Sequence, residues 1–219
     1  MGPVGRGVPG LFGVRSGTDT PTPEAAVGRW VATGLVAIGS GAALVGGCVG
    51  VVTGAVTVDL DLGRRTRPLG PQTVEIAAAG ELIFDVVAAP YLARQPRAVE
   101  EKIRVLERGT DMVLAAHRTP VRGRLVATTV ETVRFIRPDR VDFRLVRGPV
   151  PYVVEQFVLT TAAGARTRLE YSGELGTDLW WIGQRWGDRV AAAWERAVAA
   201  SLESVKVEAE RRAAAQRTR

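Results

Sequence analysis

The side chains able to move protons are few and lie in the second half of the chain. His117 is the single histidine among 219 residues. It sits in a strand-like run whose Val113 and Ala115 share its face, so it can point inward and serve as a general acid or base near neutral pH. Glu131, Glu155 and Glu170 occupy the interiors of other strand-like runs. A carboxyl group turned toward an apolar interior has its pKa raised by lost hydration, which suits acid chemistry at neutral pH. Turned outward, the same residue pairs across strands with one of the many arginines. Tyr171 adds a phenol. His117, Tyr171 and Glu131 are the candidate catalytic residues, each with an ordinary structural alternative. No GxSxG elbow marks a serine nucleophile, and one histidine makes no triad by itself. No phosphate loop and no Cys/His cluster with zinc-ligand spacing occurs, so neither a metal nor a cofactor is expected. The GRGVPG stretch matches GxGxxG in letters only, because no strand precedes it and Pro9 stands where a helix would open.

Composition narrows the classes further. The formal charge of +6 comes from arginine, with Lys102 and Lys206 the only lysines. Those arginines are interleaved with Asp and Glu along strands rather than gathered in a block, which argues against a nucleic-acid partner. A hydrophobic content of 46% supports a real core. The lone Cys48 excludes an internal disulfide.

Residues 1–28 are rich in Gly, Pro, Ser and Thr without either structural period, and are expected to form a disordered arm. Arg29 and Trp30 then lead into Val31–Val58, an uncharged run long enough to cross a bilayer core. A transmembrane helix over 29–58 is the expectation, although seven glycines and the alternating VTGAVTVDLDL at its end also suit a soluble segment. Gly46, Gly50 and Gly54 would form a small-residue stripe for self-association in lipid. Cys48 after Leu44-Val45-Gly46-Gly47 is similar to a lipoprotein cleavage box, but the residues after it stay apolar where a lipidated cysteine is usually followed by a polar linker. Arg15 and Arg29 lie before the run and Arg64, Arg65 and Arg67 after it, which favours a cytoplasmic location for the folded domain.

Residues 59–72 read as a Gly/Pro-punctuated linker, and the folded domain is expected over 73–214, with 215–219 as a tail. A strand at Thr73–Ile76 precedes a helix over Gly80–Ala89 that Pro90 should stop, and a second short helix fits within 91–101. Six strand-like runs come next, approximately Lys102–Glu107, Met112–Thr119, Leu125–Ile136, Arg140–Arg147, Tyr152–Thr161 and Arg166–Leu175. In the fourth, Val141, Phe143 and Leu145 alternate with Asp142 and Arg144, giving each strand a wet face and a buried one. The last helix runs from Leu179 to about Ala214, with an apolar stripe through Leu179, Ile182, Trp186, Val190, Trp194, Val198, Leu202 and Val205. Its start holds Trp180, Trp181 and Trp186 and is expected to pack most tightly. Its tail from about Val207 is expected to project past the sheet.

This order resembles the START-like (SRPBCC) superfamily, the helix-grip fold that includes polyketide cyclase/dehydrase-like and coenzyme Q-binding proteins. TVEIAAAGELIFDVVAAP at 73–90 looks like its opening strand and helix, with Phe84 pointing into the core. The resemblance covers roughly Thr73–Arg212. It implies an α+β fold in which a curved antiparallel sheet of about seven strands surrounds the long C-terminal helix and leaves an apolar cavity for a lipid, isoprenoid or polyketide-like molecule. Phe84, Phe143, Leu145, Phe157, Leu169, Tyr171, Trp186, Val190 and Trp194 would line that cavity, and each is equally a core residue. Three functions are expected in consequence. The first is a membrane-anchored binding or carrier protein for a hydrophobic molecule. The second is a cyclase- or dehydratase-type enzyme using His117, Tyr171 or an inward Glu. The third is a non-catalytic scaffold with a filled cavity. An inward His117 in reach of a carboxylate or tyrosine would favour the enzyme.

Overall fold

The computed structural model describes residues 46–92, 101–122, 125–164 and 166–218, all within one compact unit, Val45–Arg219. Seven strands form one antiparallel sheet: β1 (Arg65–Ile76), β2 (Ile103–Arg108), β3 (Met112–Arg122), β4 (Leu125–Ile136), β5 (Arg140–Arg147), β6 (Tyr152–Ala162) and β7 (Arg166–Thr177). Their spatial order is β1-β7-β6-β5-β4-β3-β2, so β2 to β7 form a meander and β1 closes against its last strand. Short turns explain the meander, because antiparallel neighbours need only a few connecting residues. Helix α1 (Gly80–Leu92) comes after β1, and helix α2 (Trp180–Arg217) after β7.

Alternation sets the buried face. Val141, Phe143 and Leu145 of β5 and Leu169, Tyr171 and Leu175 of β7 are buried, and α1 adds Ile83, Phe84, Val87 and Tyr91 to the same core. Phe84 meets Phe135 edge-on with ring centroids 6.5 Å apart, and the Arg137 guanidinium also lies over the Phe84 ring, 4.6 Å from its centre. Arg137 also pairs with Glu81 and Asp85, which fastens α1 to the β4–β5 turn.

Several expectations from the sequence are corrected. Residues 65–72, read as linker, are the first two thirds of β1. Helix α1 runs through Pro90 to Leu92, so the missing Pro90 amide costs the helix one backbone bond without ending it there. The helix of residues 46–52 does not continue to Val58. Gly54 takes a left-handed φ of 69° and its amide donates to Val51 O at 3.0 Å, a glycine stop. The chain then joins the sheet: Thr128 N donates to Thr53 O at 2.8 Å, and Thr57 Oγ1 donates to Gly148 O at 2.7 Å. Residues 53–58 therefore belong to the folded domain, and among the described residues no helix is long and apolar enough to cross a membrane. Gly46, Gly50 and Gly54 form no common helical stripe, since Gly54 lies beyond the helix and packs so closely that a Cβ there would stand 2.3 Å from Thr128 O. The expected arm 1–28, residues 29–45 of the expected span and most of the expected second helix lie outside the described residues.

The two ends of α2 also reverse the expectation. Trp180, Trp181 and Ile182 are exposed, whereas Ala209 and Ala213 in the tail are buried. The buried stripe of the first two turns is Gly183 and Gly187. A Cβ on Gly183 would lie 1.6 Å from Asp178 O, and one on Gly187 would lie 3.0 Å from Thr177 Cγ2. Glycine lets the helix backbone approach the end of β7, which turns the tryptophans outward. The tail is held by Glu210, whose Oε1 accepts the Ala77 amide at 3.0 Å, and the helix continues to Arg217.

Candidate functional site

The helix-covered face of the sheet carries a polar arrangement inside an otherwise apolar core. On β3, His117 stands opposite Thr129 of β4, and Ala115 stands opposite Glu131. His117 and Glu131 are thus diagonal neighbours on one face, within reach of long side chains. The small Ala115 leaves room for the carboxylate beside it. A bulge in the β4–β5 pairing falls between Val130 and Glu131, so that both consecutive residues are buried.

His117 Nδ1 lies 2.9 Å from Glu131 Oε2, and His117 Nε2 lies 3.1 Å from the Tyr91 hydroxyl. Tyr91 reaches the site from the last turn of α1, with its ring edge-on to His117. The carboxylate fixes the proton arrangement. In the neutral imidazole Nδ1–H donates to Glu131, and Nε2 accepts the Tyr91 O–H; in the cation Nε2–H donates to the phenol oxygen. Burial opposes charging of His117, but the charge of Glu131, its hydrogen bond and the charge of Glu155 overcome this, so the pKa stands above the ordinary imidazole value. Burial, with the charges of Glu131 and Glu155, raises the Tyr91 phenol well above its usual range. The His117 side chain keeps 17% of its surface exposed, against 5% for Glu131. It is the more exposed member of the pair.

A second carboxyl group sits two strands away. Glu155 of β6 faces Phe143 of β5 and Gly173 of β7. The missing side chain at Gly173 makes its space, because a Cβ there would lie 2.7 Å from Glu155 Cβ. Tyr171 O–H and Trp194 Nε1–H both donate to Glu155 Oε2, each at 2.7 Å. Burial pushes the Glu155 pKa up, the charge of Glu131 adds to this, and the two donors and His117 only partly offset it, leaving a value of about 7. The Tyr171 phenol is raised by burial and by Glu155 beside it. Between the two acids runs an aromatic row, Tyr91, Phe143, Phe157 and Tyr171, with successive centroids 6.2, 5.5 and 5.5 Å apart. Among the described residues no buried side-chain N or O lacks a partner, and no group of three His, Cys, Asp or Glu could hold a metal ion.

Of the expected catalytic residues, His117 and Glu131 come together, while Tyr171 belongs to Glu155. Glu170 lies on the opposite strand face from Tyr171 and is half-buried. Of the expected lining residues, Phe84, Phe143, Leu145, Leu169, Tyr171 and Val190 are buried in the core. Phe157, Trp186 and Trp194 pack against it partly exposed, with Trp186 Nε1 donating to Pro149 O at 2.8 Å. Tyr91 is absent from the expected site residues. Its spacing from Phe84 and Val87 continues the apolar face of α1, a signal masked by Pro90.

No protein-family model and no curated protein matches the sequence. Solved structures do share its fold. The Zhui aromatase/cyclase from a Streptomyces species aligns with a TM-score of 0.54 at 21% identity, over 68% of this chain and 95% of that one. A point mutant of norcoclaurine synthase from Thalictrum aligns at 0.51 with 13% identity, over 68% and 96%. A Thermus thermophilus protein aligns at 0.50 with 14% identity, over 65% and 94%. The domain shares with these structures a helix-grip fold, a seven-stranded antiparallel sheet with a long C-terminal helix. At these identities the likeness shows the fold alone.

Proposed function

We propose that this domain binds a hydrophobic, carbonyl-bearing small molecule between sheet and α2 and catalyses proton transfers on it, as in cyclisation or dehydration. The observation that carries this reading is the placement of His117 between Glu131 and Tyr91, 2.9 and 3.1 Å away. Neutral His117 takes a proton from a carbon next to a carbonyl, and Glu131 stabilises the imidazolium that forms. The imidazolium, or Tyr91 acting with it, then returns a proton to the carbonyl oxygen or to a departing hydroxyl as water leaves. The aromatic row beside the pair, Tyr91, Phe143, Phe157 and Tyr171, would favour a flat, conjugated product. The aromatase/cyclase likeness in fold agrees with this chemistry by analogy only. In its finer form the reading keeps the domain beside a bilayer through the uncharged residues 31–52, where an apolar substrate is concentrated.

A carrier without chemistry is the second reading, favoured by one observation: every buried polar side-chain atom among the described residues already has a partner, so none waits for a ligand. One experiment separates the two. Protein purified from cells is examined by native mass spectrometry for a bound apolar molecule, then incubated with a linear poly-β-carbonyl thioester and followed by chromatography and mass. Loss of water or ring formation supports the enzyme. A retained molecule that leaves unchanged supports the carrier, and the absence of both results removes both readings.

A further inference from the structure

Among the described residues, eight of the fifteen exposed large hydrophobics fall in two short segments: Val49, Val56, Val58, Leu60 and Leu62 in one, Trp180, Trp181 and Ile182 in the other. This is a concentration, not the scattered exposure that any surface shows. The segments are joined side by side. Leu179 N donates to Leu62 O at 2.8 Å and Trp180 N to Gly63 O at 3.0 Å, and Gly63 lies so close under the Trp180 ring that a Cβ would stand 2.3 Å from it.

The fold builds this face rather than leaving it over. Asp178, placed to cap α2, instead accepts the amides of Leu60 and Asp61 at 2.6 and 2.9 Å and Arg64 Nε at 2.7 Å. Helix α2 has no side-chain cap, and its first residues are held in the left-handed region, with φ of 68° at Leu179 and 49° at Trp180. Bulky residues rarely adopt that conformation, and here it presents two indoles outward.

We infer that this end of the domain docks on a lipid bilayer surface, with Trp181, Ile182, Leu60 and Leu62 at the boundary between headgroups and acyl chains. Three features choose lipid over a protein partner. Tryptophan, with an apolar body and one polar N–H, concentrates at membrane interfaces. The Arg185 guanidinium lies over the Trp181 ring, 5.5 Å from its centre, where it can meet phosphate. The chain also enters this face directly from its longest uncharged run, which ends at Val58. Docking of this kind involves only residues of the folded domain and does not depend on the proton-transfer chemistry.

The test is fluorescence quenching of the full chain on vesicles of roughly 7:3 phosphatidylcholine and phosphatidylglycerol carrying brominated acyl chains. The difference between the wild type and Trp180→Phe/Trp181→Phe isolates the two rings, whatever else holds the chain to the vesicle. Docking predicts that the difference emission is quenched by the bromolipid and protected from acrylamide. Ile182→Glu, which replaces no tryptophan and sits at an exposed position, is expected to weaken that quenching roughly threefold or more. Vesicle-bound protein whose difference emission is untouched by bromolipid would overturn the inference. So would a concentration-dependent dimer that Trp181→Glu abolishes while bromolipid has no effect, since the face would then belong to a second copy.

Discussion

Glu131 and Glu155 are two carboxyl groups on one sheet face, both almost fully buried, yet their partners give them different work. Glu131 meets a histidine, which can take a proton and keep it. Glu155 meets a phenol and an indole, neutral donors that hold its oxygen without exchanging charge near neutral pH. Burial and the charge of Glu131 raise the cost of ionising Glu155, which stands at a pKa of about 7, while Glu131 has His117 as its partner. The difference teaches that burial alone does not make a carboxyl group catalytic. The partner decides whether a proton moves or a helix is pinned, and Trp194 makes Glu155 the pin between β6 and α2.

The largest effect should separate the two acids by activity. With the substrate that the protein turns over, His117→Ala is expected to lower kcat by about 100-fold to 10,000-fold, the usual worth of a positioned acid or base. Glu155→Gln should stay within roughly tenfold of the wild type, because glutamine keeps the acceptor oxygen. Equal losses in the two variants would erase the distinction.

Stability should separate them the other way. Glu155→Ala leaves the Tyr171 hydroxyl and the Trp194 N–H without their acceptor inside the core, at a cost of about 3 kcal/mol or more in chemical denaturation. Glu155→Gln should recover most of that loss.

The pH dependence is a smaller and sharper test. Glu155 binds its proton more tightly folded than unfolded, so its contribution to stability is complete below about pH 4.5 and declines as pH rises to about 7. His117, also raised, contributes fully below its unfolded value of 6.5 and loses that contribution as pH climbs through its folded value. Both slopes run the same way, so the protein should lose on the order of 1–3 kcal/mol between mildly acidic and mildly basic solution. Glu155→Gln should flatten the part between pH 4.5 and 7 and leave the later part.

The strands are readable in the sequence because period-two alternation and turn residues mark them independently. The runs at Leu125–Ile136 and Arg140–Arg147 need no adjustment, and the order of elements carries the fold. Helix α2 is readable in length and, from Trp186 onward, in phase, but not in its first two turns. Hydrophobicity weights Trp180, Trp181 and Ile182 heavily and Gly183 and Gly187 hardly at all, yet close approach to β7 selects the glycines. The end of the uncharged run at Val58 misleads for a related reason, since Gly54 and the bonds of Thr53 and Thr57 to the sheet are tertiary facts. At the site, His117, Glu131 and Glu155 are visible singly as strand-interior polar residues. Which acid meets His117 depends on register and on the bulge at Glu131, neither of which has a local signal.

Because His117 is the single histidine in the chain, its ring nitrogens can be followed alone in long-range proton–nitrogen NMR spectra as pH is varied. The neutral ring is expected to carry its proton on Nδ1, the nitrogen facing Glu131, and to titrate above the ordinary imidazole value. Glu131→Gln should then lower that midpoint. A neutral ring protonated on Nε2, or a midpoint below 6.5 that ignores Glu131→Gln, would contradict the pairing of His117 with Glu131 as a proton-transfer unit.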